Sequence, residues 1–321
     1  FWPRKRTKHS LARVRSWADE GKVKPLGFIG YKAGMVKLMV VDNHPKSLTK
    51  GQTIAAPSTI VECPPMTIFG VVFYQNSKKL TTILAEKSAK ELKRTVQLPK
   101  KKVKSFADVK DNKNQGFLES ARNQGFPVEF DDLRLLVHSN PKLTGIGTKK
   151  PKIMELALGG TKEEKLTYAQ EMLGKEIKIE DVFDSGNLVD VHGISKGKGF
   201  QGTVKRFGVP IKQHKGEKNK RGIGNLGAWT PKRVDFRVPQ PGKMGYHLRT
   251  EYNKHILKIG QEGNDVNSAG GRTNYGLVKN HYLLLKGSIV GPKKKAVFLA
   301  KSIRPSKKFT KEAPEVVTII T

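Results

Sequence analysis

The sequence predicts a mixed β and α+β protein: a β-barrel-like domain, interrupted once by an inserted α+β subdomain and once by a long basic central loop, and preceded by an extended N-terminal arm. Three observations carry this reading. Short apolar runs bounded by turn residues recur along the chain, as strands do. Helical patterns are confined to 106–122 and 161–173. After Ser195 the composition turns abruptly to Gly, Lys, Arg and Pro.

Taken in order, residues 1–25 are polar and basic with little periodicity, which reads as the arm. Leu26–Tyr31 and Met35–Val41 are apolar runs joined by Lys32-Ala33-Gly34, the pattern of a hairpin. Ser58–Cys63, Thr67–Tyr74 and Leu80–Ala85 read as further strands, and Lys100–Lys104 as a basic loop. Phe106–Arg122 and Thr161–Leu173 are the helices; in the second, Thr161 and Glu164 stand at capping-box spacing. Strands at Leu133–Val137 and Ile153–Leu158 lie between them, and Ile177–Val182 and Leu188–Ile194 follow. Lys196–Gly242 is an excursion of 47 residues with few adjacent apolar side chains. So long a loop inside a compact domain is usually functional. Strands resume at Tyr246–Leu248, Ile256–Ile259, Tyr282–Ser288 and Ala296–Ile303. The predicted units are therefore the arm 1–25, a barrel from 26–65 with 175–195 and 243–305, the subdomain 66–174, the basic extension 196–242 and a tail 306–321.

The 321 residues include 61 Lys+Arg against 28 Asp+Glu, a net charge of +33. Such a surplus repels itself in isolation, so a polyanion is the natural partner. The charge is clustered. Residues 1–32 hold nine Lys/Arg and two acids; residues 192–233 hold eleven Lys/Arg, nine Gly and one acid, Glu217. A solvated surface would intersperse acids among these cations. The single cysteine, Cys63, excludes a disulfide framework and a Cys-based zinc site. No run reaches the ~18 apolar residues of a membrane span, and no apolar signal core follows Phe1-Trp2-Pro3-Arg4, so the expectation is an intracellular, soluble protein.

Gly197-Lys198-Gly199-Phe200-Gln201-Gly202 with Val204 matches the glycine pattern of dinucleotide sites and of kinases. A dinucleotide site needs a helix opening at the glycines and an acid about 20 residues on. Here the chain runs on through Lys205 and Arg206 to Gly208 and Pro210, and 221–228 holds no acid. The nearest kinase metal motif is Asp235-Phe236-Arg237, and no His-Arg-Asp is present. The histidines form no metal-binding pair with a carboxylate, and no Gly-x-Ser-x-Gly elbow appears. What remains is a loop in which Gly admits close approach of a phosphate, Lys and Arg neutralise it, and Trp229 stacks on an unpaired base. The alternative for Trp229 is packing on its own domain; the flanking Gly227 and Pro231 argue against a core strand. Trp2 and Trp17 in the arm invite the same reasoning. Flexible cationic segments without a major-groove helix suit folded RNA better than duplex DNA.

Phe183, Asp190, Gly193, Ser195, Gly197-Lys198-Gly199, Gly202 and Arg206 stand at the spacing of the signature of a known family, the universal third protein of the large ribosomal subunit. Pro3-Arg4-Lys5-Arg6, the run Gly27–Met35, Gly227-Ala228-Trp229, Gly245-Tyr246-His247, Arg249-Thr250-Glu251, Lys286-Gly287-Ser288 and Gly291-Pro292-Lys293 also resemble family landmarks. The subdomain at 66–174 resembles the archaeal and eukaryotic branch, and the length leans archaeal. The resemblance implies a barrel like the second domain of translation factors, seated on the outside of the subunit. It also implies that arm and loop run inward through ribosomal RNA, with Trp229 near the peptidyl transferase centre.

The function expected is that of a cytoplasmic, structural, non-catalytic constituent of the large subunit, with no cofactor or metal and a single copy per ribosome. It binds large-subunit rRNA and neighbouring ribosomal proteins and supports assembly. The expected RNA contacts are Arg4, Lys5, Arg6, Lys8 and Arg13 in the arm; Lys196, Lys198, Lys205, Arg206, Lys212, His214, Lys215, Lys220, Arg221, Trp229, Lys232, Arg233 and Arg237 in the loop; and Lys243 and Arg249 after it. Two rivals are a nucleotide-dependent RNA-modifying enzyme using the Gly-rich turn and a non-specific chromatin-like DNA binder.

Overall fold

The computed structural model describes residues 4–86, 89–98, 130–216, 218–310 and 312–320. Trp2, Lys100–Lys104 and the helix expected over Phe106–Arg122 lie outside the described residues. In chain order the elements are β1 (Gly27–Val41), β2 (Thr53–Glu62), β3 (Met66–Gln75), β4 (Lys78–Leu84), β5 (Asp132–Ser139), β6 (Ile153–Ala157), α1 (Lys162–Met172), β7 (Glu176–Ile177) and β8 (Leu188–Ile194). Then come β9 (Phe200–Gln201), α2 (Thr203–Phe207), β10 (Gly242–Lys243), β11 (Leu248–Gly260), β12 (Tyr282–Lys286), β13 (Ala296–Lys301) and β14 (Val316–Ile320). The protein is thus mainly β, with mixed β and α+β parts.

Six strands hydrogen-bond in the order β13-β8-β11-β12-β2-β1, and β1 pairs back onto β13 from Gly27↔Ala300 to Tyr31↔Ala296, so the circuit closes. A closed circuit leaves these strands without an open edge along their shared length. The hairpin expected at Lys32-Ala33-Gly34 is instead a β-bulge within one strand. β2 pairs with β1 on both sides of it, from Tyr31↔Glu62 to Val41↔Thr53, with a register shift between Lys32 and Gly34. Ala33 is buried, and Gly34 has none of the left-handed backbone a tight reversal uses. The bulge bends the strand, and β1 passes from β13 to β14, which pairs at Lys37↔Ile320. The sequence reading left β14 inside the tail.

Three more expectations change. The run Ile177–Val182 is strand only to Ile177, because the Asp181 carboxylate accepts the Lys178 N–H at 2.8 Å and closes a 3-10 turn over Ile179–Asp181. Tyr246 has a φ of +55° and stands outside any strand. Leu248 and Ile256–Ile259 belong to one long strand, β11, whose middle is polar and shifts register between Glu251 and Lys254.

The second sheet runs β4-β3-β5-β6, with β7 on the start of β3. β3 is buried along almost its whole length, as its unbroken apolar run demands. α1 starts where Glu164 accepts the Thr161 N–H at 2.9 Å, one half of the capping box read from the sequence. One apolar cluster joins both sheets. Phe28, Ile29, Val191 and Phe298 share it with Met66, Ile68, Phe73 and Leu135, and the Ile29 N–H donates to Met66 Sδ at 3.2 Å. The two sheets therefore form one packed body from which the basic segments depart. Among the described residues, no helix is long and apolar enough to cross a membrane.

Candidate nucleic-acid interface

The central loop leaves the closed sheet on a built stalk. As β8 ends, the Ser195 N–H donates to His247 O at 3.0 Å and the His247 N–H donates back to Ser195 Oγ at 3.1 Å. Above them Lys198 N–H reaches Met244 O and Met244 N–H reaches Gly199 O, both at 2.9 Å, and β9 pairs with β10. Gly245 has φ +74°, and a Cβ there would lie 2.0 Å from Lys196 O, so only glycine permits the two legs this close. The Gly-rich motif thus shapes the stalk. A helix does follow it, but α2 has five residues and ends at Gly208, in left-handed backbone at φ +72°.

The arm clasps this stalk. Arg4 Nη1 donates to Arg206 O, and Arg206 Nη2 donates to Arg4 O, each at 2.8 Å, while Arg206 Nη1 reaches Gln240 O at 2.8 Å. The rigid guanidinium fork is what lets Arg206 hold two backbone segments at once. Both guanidinium groups lie over Phe207, at 4.3 and 5.0 Å from its centroid. Lys5 O meets His247 Nδ1 at 2.9 Å, and the Thr7 N–H donates to Tyr246 O at 3.0 Å. The structure therefore brings Arg4 and Arg206 together as a clasp between segments. Lys5, Arg6, Lys8, Arg13, Lys196, Lys198, Lys205 and Lys243 are exposed, and Arg249 is half-buried.

Positive charge is dense at this base. Lys32 donates to Ile289 O and Gly291 O, and burial together with the Lys196 charge holds its pKa below the ordinary lysine value. Lys152 is lowered too, by burial and then by Lys295 and Lys150. Tyr246 sits between Lys295, 4.4 Å from its centroid, and Arg6, at 4.9 Å. The Lys295 Nζ donates to its hydroxyl at 3.0 Å, and that hydrogen bond lowers the phenol pKa. Lys32, Lys152 and Lys295 are not among the sequence-predicted contacts. They come from distant segments, and no local pattern gathers them.

Beyond the stalk the loop tip spans 208–240. Among its described residues none is buried. His214, Lys215, Lys220, Arg221, Lys232, Arg233 and Arg237 are exposed and Lys212 is half-buried. Trp229 is 84 % exposed, with Lys232 Nζ 6.0 Å from its ring. It does not pack on its own domain. Phe236 is 70 % exposed beside Arg237, and Phe200 in the stalk is 66 % exposed. Both are aromatics close to cations, as Trp229 is, but the sequence reading weighed Asp235-Phe236-Arg237 only as a kinase motif and Phe200 only within the glycine pattern. Asp235 receives the Arg237 N–H, Nε and Nη2, which hold its carboxyl down at about 2. Trp17 departs from the expectation for arm tryptophans: it packs edge-on against Phe298, centroids 5.8 Å apart. Among the described residues no group of three or more His, Cys, Asp or Glu is placed to hold a metal ion.

Exposed cations and aromatics on glycine-rich backbone offer phosphate neutralisation and base stacking. The family model for ribosomal protein L3 matches residues 1–319. Relatives named large ribosomal subunit protein uL3 align along 100 % of this chain and 94 % of their own lengths. Those of Methanocaldococcus jannaschii and Methanothermobacter thermautotrophicus are 44 % and 43 % identical to it.

Proposed function

The chain belongs to the ribosomal protein L3 family, structural and non-enzymatic proteins of the large ribosomal subunit, and on that premise we propose that its arm and central loop bind large-subunit rRNA and help it assemble. The observation that carries this is the loop tip, where Trp229 and Phe236 stand exposed among cations with no fold of their own to enter. Ordering a residue costs about 1–2 kcal/mol of backbone entropy. In the tip, apolar burial within the chain does not offset it, and RNA phosphates and bases would. In this reading the closed circuit of six strands is the family's translation-factor-like barrel, lying at the surface of a cytoplasmic ribosome. The loop reaches towards the peptidyl transferase centre with Trp229 at its tip, and neighbouring ribosomal proteins adjoin the body. The exposed cations of the arm and loop contact phosphates or base edges, whereas Arg4 and Arg206 act chiefly by fixing arm to stalk.

The test is the salt dependence of binding to a large-subunit rRNA transcript. Each neutralised phosphate contributes a slope of roughly −0.7 to −0.9 in log K against log salt. We expect a summed slope several times that, and retention on the RNA through a high-salt wash of intact subunits. A slope near zero, or equal affinity for duplex DNA, overturns the proposal.

A further inference from the structure

A second feature lies on the body, outside the arm–stalk clasp and the loop tip. Arm residues 13–16, β8, the start of β11 and the turn after β13 line an open cavity of about 550 Å³. That is within the roughly 300–1,000 Å³ of small-molecule sites. Its rim is apolar and aromatic, with Val14, Leu248, Ile303 and a 56 % exposed Tyr252. Arg13, Arg15 and Arg304 line it as well, all exposed, and Arg304 Cζ is 5.9 Å from the Tyr252 centroid. His192 and Thr250 also line it, joined Nδ1 to Oγ1 at 2.9 Å. One carboxylate contributes, Asp190. It is 1 % exposed, and its oxygens accept the Asn253 N–H at 2.8 Å and the Ile303 N–H at 3.3 Å, so its charge is committed to the backbone.

We propose that this cavity receives a single unstacked nucleotide of RNA. The base stacks on Tyr252 beneath the Arg304 guanidinium, which is how aromatic and Arg planes grip splayed-out bases. Arg13 and Arg15 meet the flanking phosphates. The His192–Thr250 pair offers hydrogen-bonding atoms to the base edge or the 2′-hydroxyl. The arginines fit the phosphates that flank a base, and the aromatic ring fits the planar face of the base. The inference rests on the proposed RNA-binding function and deepens it, by adding a nucleotide-sized receptor on the body to the loop contacts.

The test uses the full chain with a large-subunit rRNA transcript containing 4-thiouridine. Tyr252→Ala is expected to weaken binding roughly 5- to 150-fold, the range for one base–aromatic stack. Tyr252→Phe, which keeps the stack, should stay within about twofold. Photocross-linking should place a nucleotide adduct on the peptide carrying Tyr252. If Tyr252→Ala fails to fold, Arg13→Ala takes its place and should reduce the salt slope by about one counterion. Wild-type affinity for Tyr252→Ala, absence of an adduct at 252 in the wild type, or an unchanged slope for Arg13→Ala overturns the cavity proposal. So does a cross-link from this cavity to a neighbouring protein in intact subunits. The two readings separate cleanly. Failure of the wild-type chain to bind the transcript removes both, whereas loss of binding in Trp229→Ala with none in Tyr252→Ala removes only this one.

Discussion

The arm at residues 4–25 and the loop tip at 208–240 are both cationic, both contain large apolar residues and both are almost without regular secondary structure. Their fates differ. In the arm, Ala12 is buried, and Leu11, Val14 and Trp17 lie against the core cluster that joins the two sheets. Glu20 pairs with Lys301, the Gly159 N–H donates to Lys24 O, and the Gly160 N–H donates to Glu20 O. In the tip, Ile211, Leu226, Trp229, Val234 and Phe236 are all at least 48 % exposed. The difference lies in whether a neighbouring surface meets the apolar residues. The arm runs over the seam between two sheets, where apolar surface is available; the tip has been carried beyond the body by the stalk. A shared composition has produced one segment ordered by its own protein and one whose aromatic residues stand exposed beside the segment's own cations.

The most severe way to break this comparison is amide exchange on the free protein. Amides beneath the arm, such as those of Leu26, Gly159 and Gly160 with acceptors at 2.8–3.0 Å, should open only with free energies approaching global unfolding, roughly 5–15 kcal/mol for a typical domain. Amides of 208–240 should open at about 0–1 kcal/mol. Comparable protection in both segments would erase the distinction.

Next in size are the two tryptophans. Trp17→Ala removes a half-buried ring stacked edge-on on Phe298. It should cost about 2–3 kcal/mol of stability, read as a lower urea midpoint at unchanged m. Trp229→Ala should leave that midpoint alone and weaken RNA binding by about 1–3 kcal/mol. The comparison is wrong if the two phenotypes are exchanged.

The clasp sharpens it further. Arg206→Lys keeps the charge but loses the fork that reaches Arg4 O and Gln240 O. We expect about 1–2 kcal/mol of local destabilisation, seen as faster proteolysis within residues 4–8 at nearly unchanged global stability.

The smallest effect is acid sensitivity. Burial holds the pKa of His138, His192 and His255 below the ordinary histidine value. Each is then neutral in the fold but takes up a proton when unfolded. Their contribution is intact above about pH 6.5, the unfolded value, and is lost as pH falls from there towards the lower folded value. The urea midpoint should decline over that interval.

Much of this architecture was legible in the residues. Leu188–Ile194 is strand over the span that its alternation marks, and Thr161 with Glu164 opens α1 as the capping pattern requires. The exposed basic loop with Trp229 at large followed from eleven Lys/Arg among nine Gly in 192–233. Phe236 escaped notice because its neighbours formed a more familiar motif.

By itself the sequence determined composition-driven properties: where most of the strands lie, where charge gathers, and which segment has too little apolar surface to cover itself. These depend on neighbours along the chain, where propensity and periodicity act. Tertiary structure alone decided that Lys32-Ala33-Gly34 is a bulge and not a turn, that Val316–Ile320 joins β1, that Arg4 and Arg206 clasp one another across 202 positions, and that Trp17 packs on Phe298. Each of those outcomes depends on which surface the folded body presents opposite a residue, and that information is not local to any part of the chain.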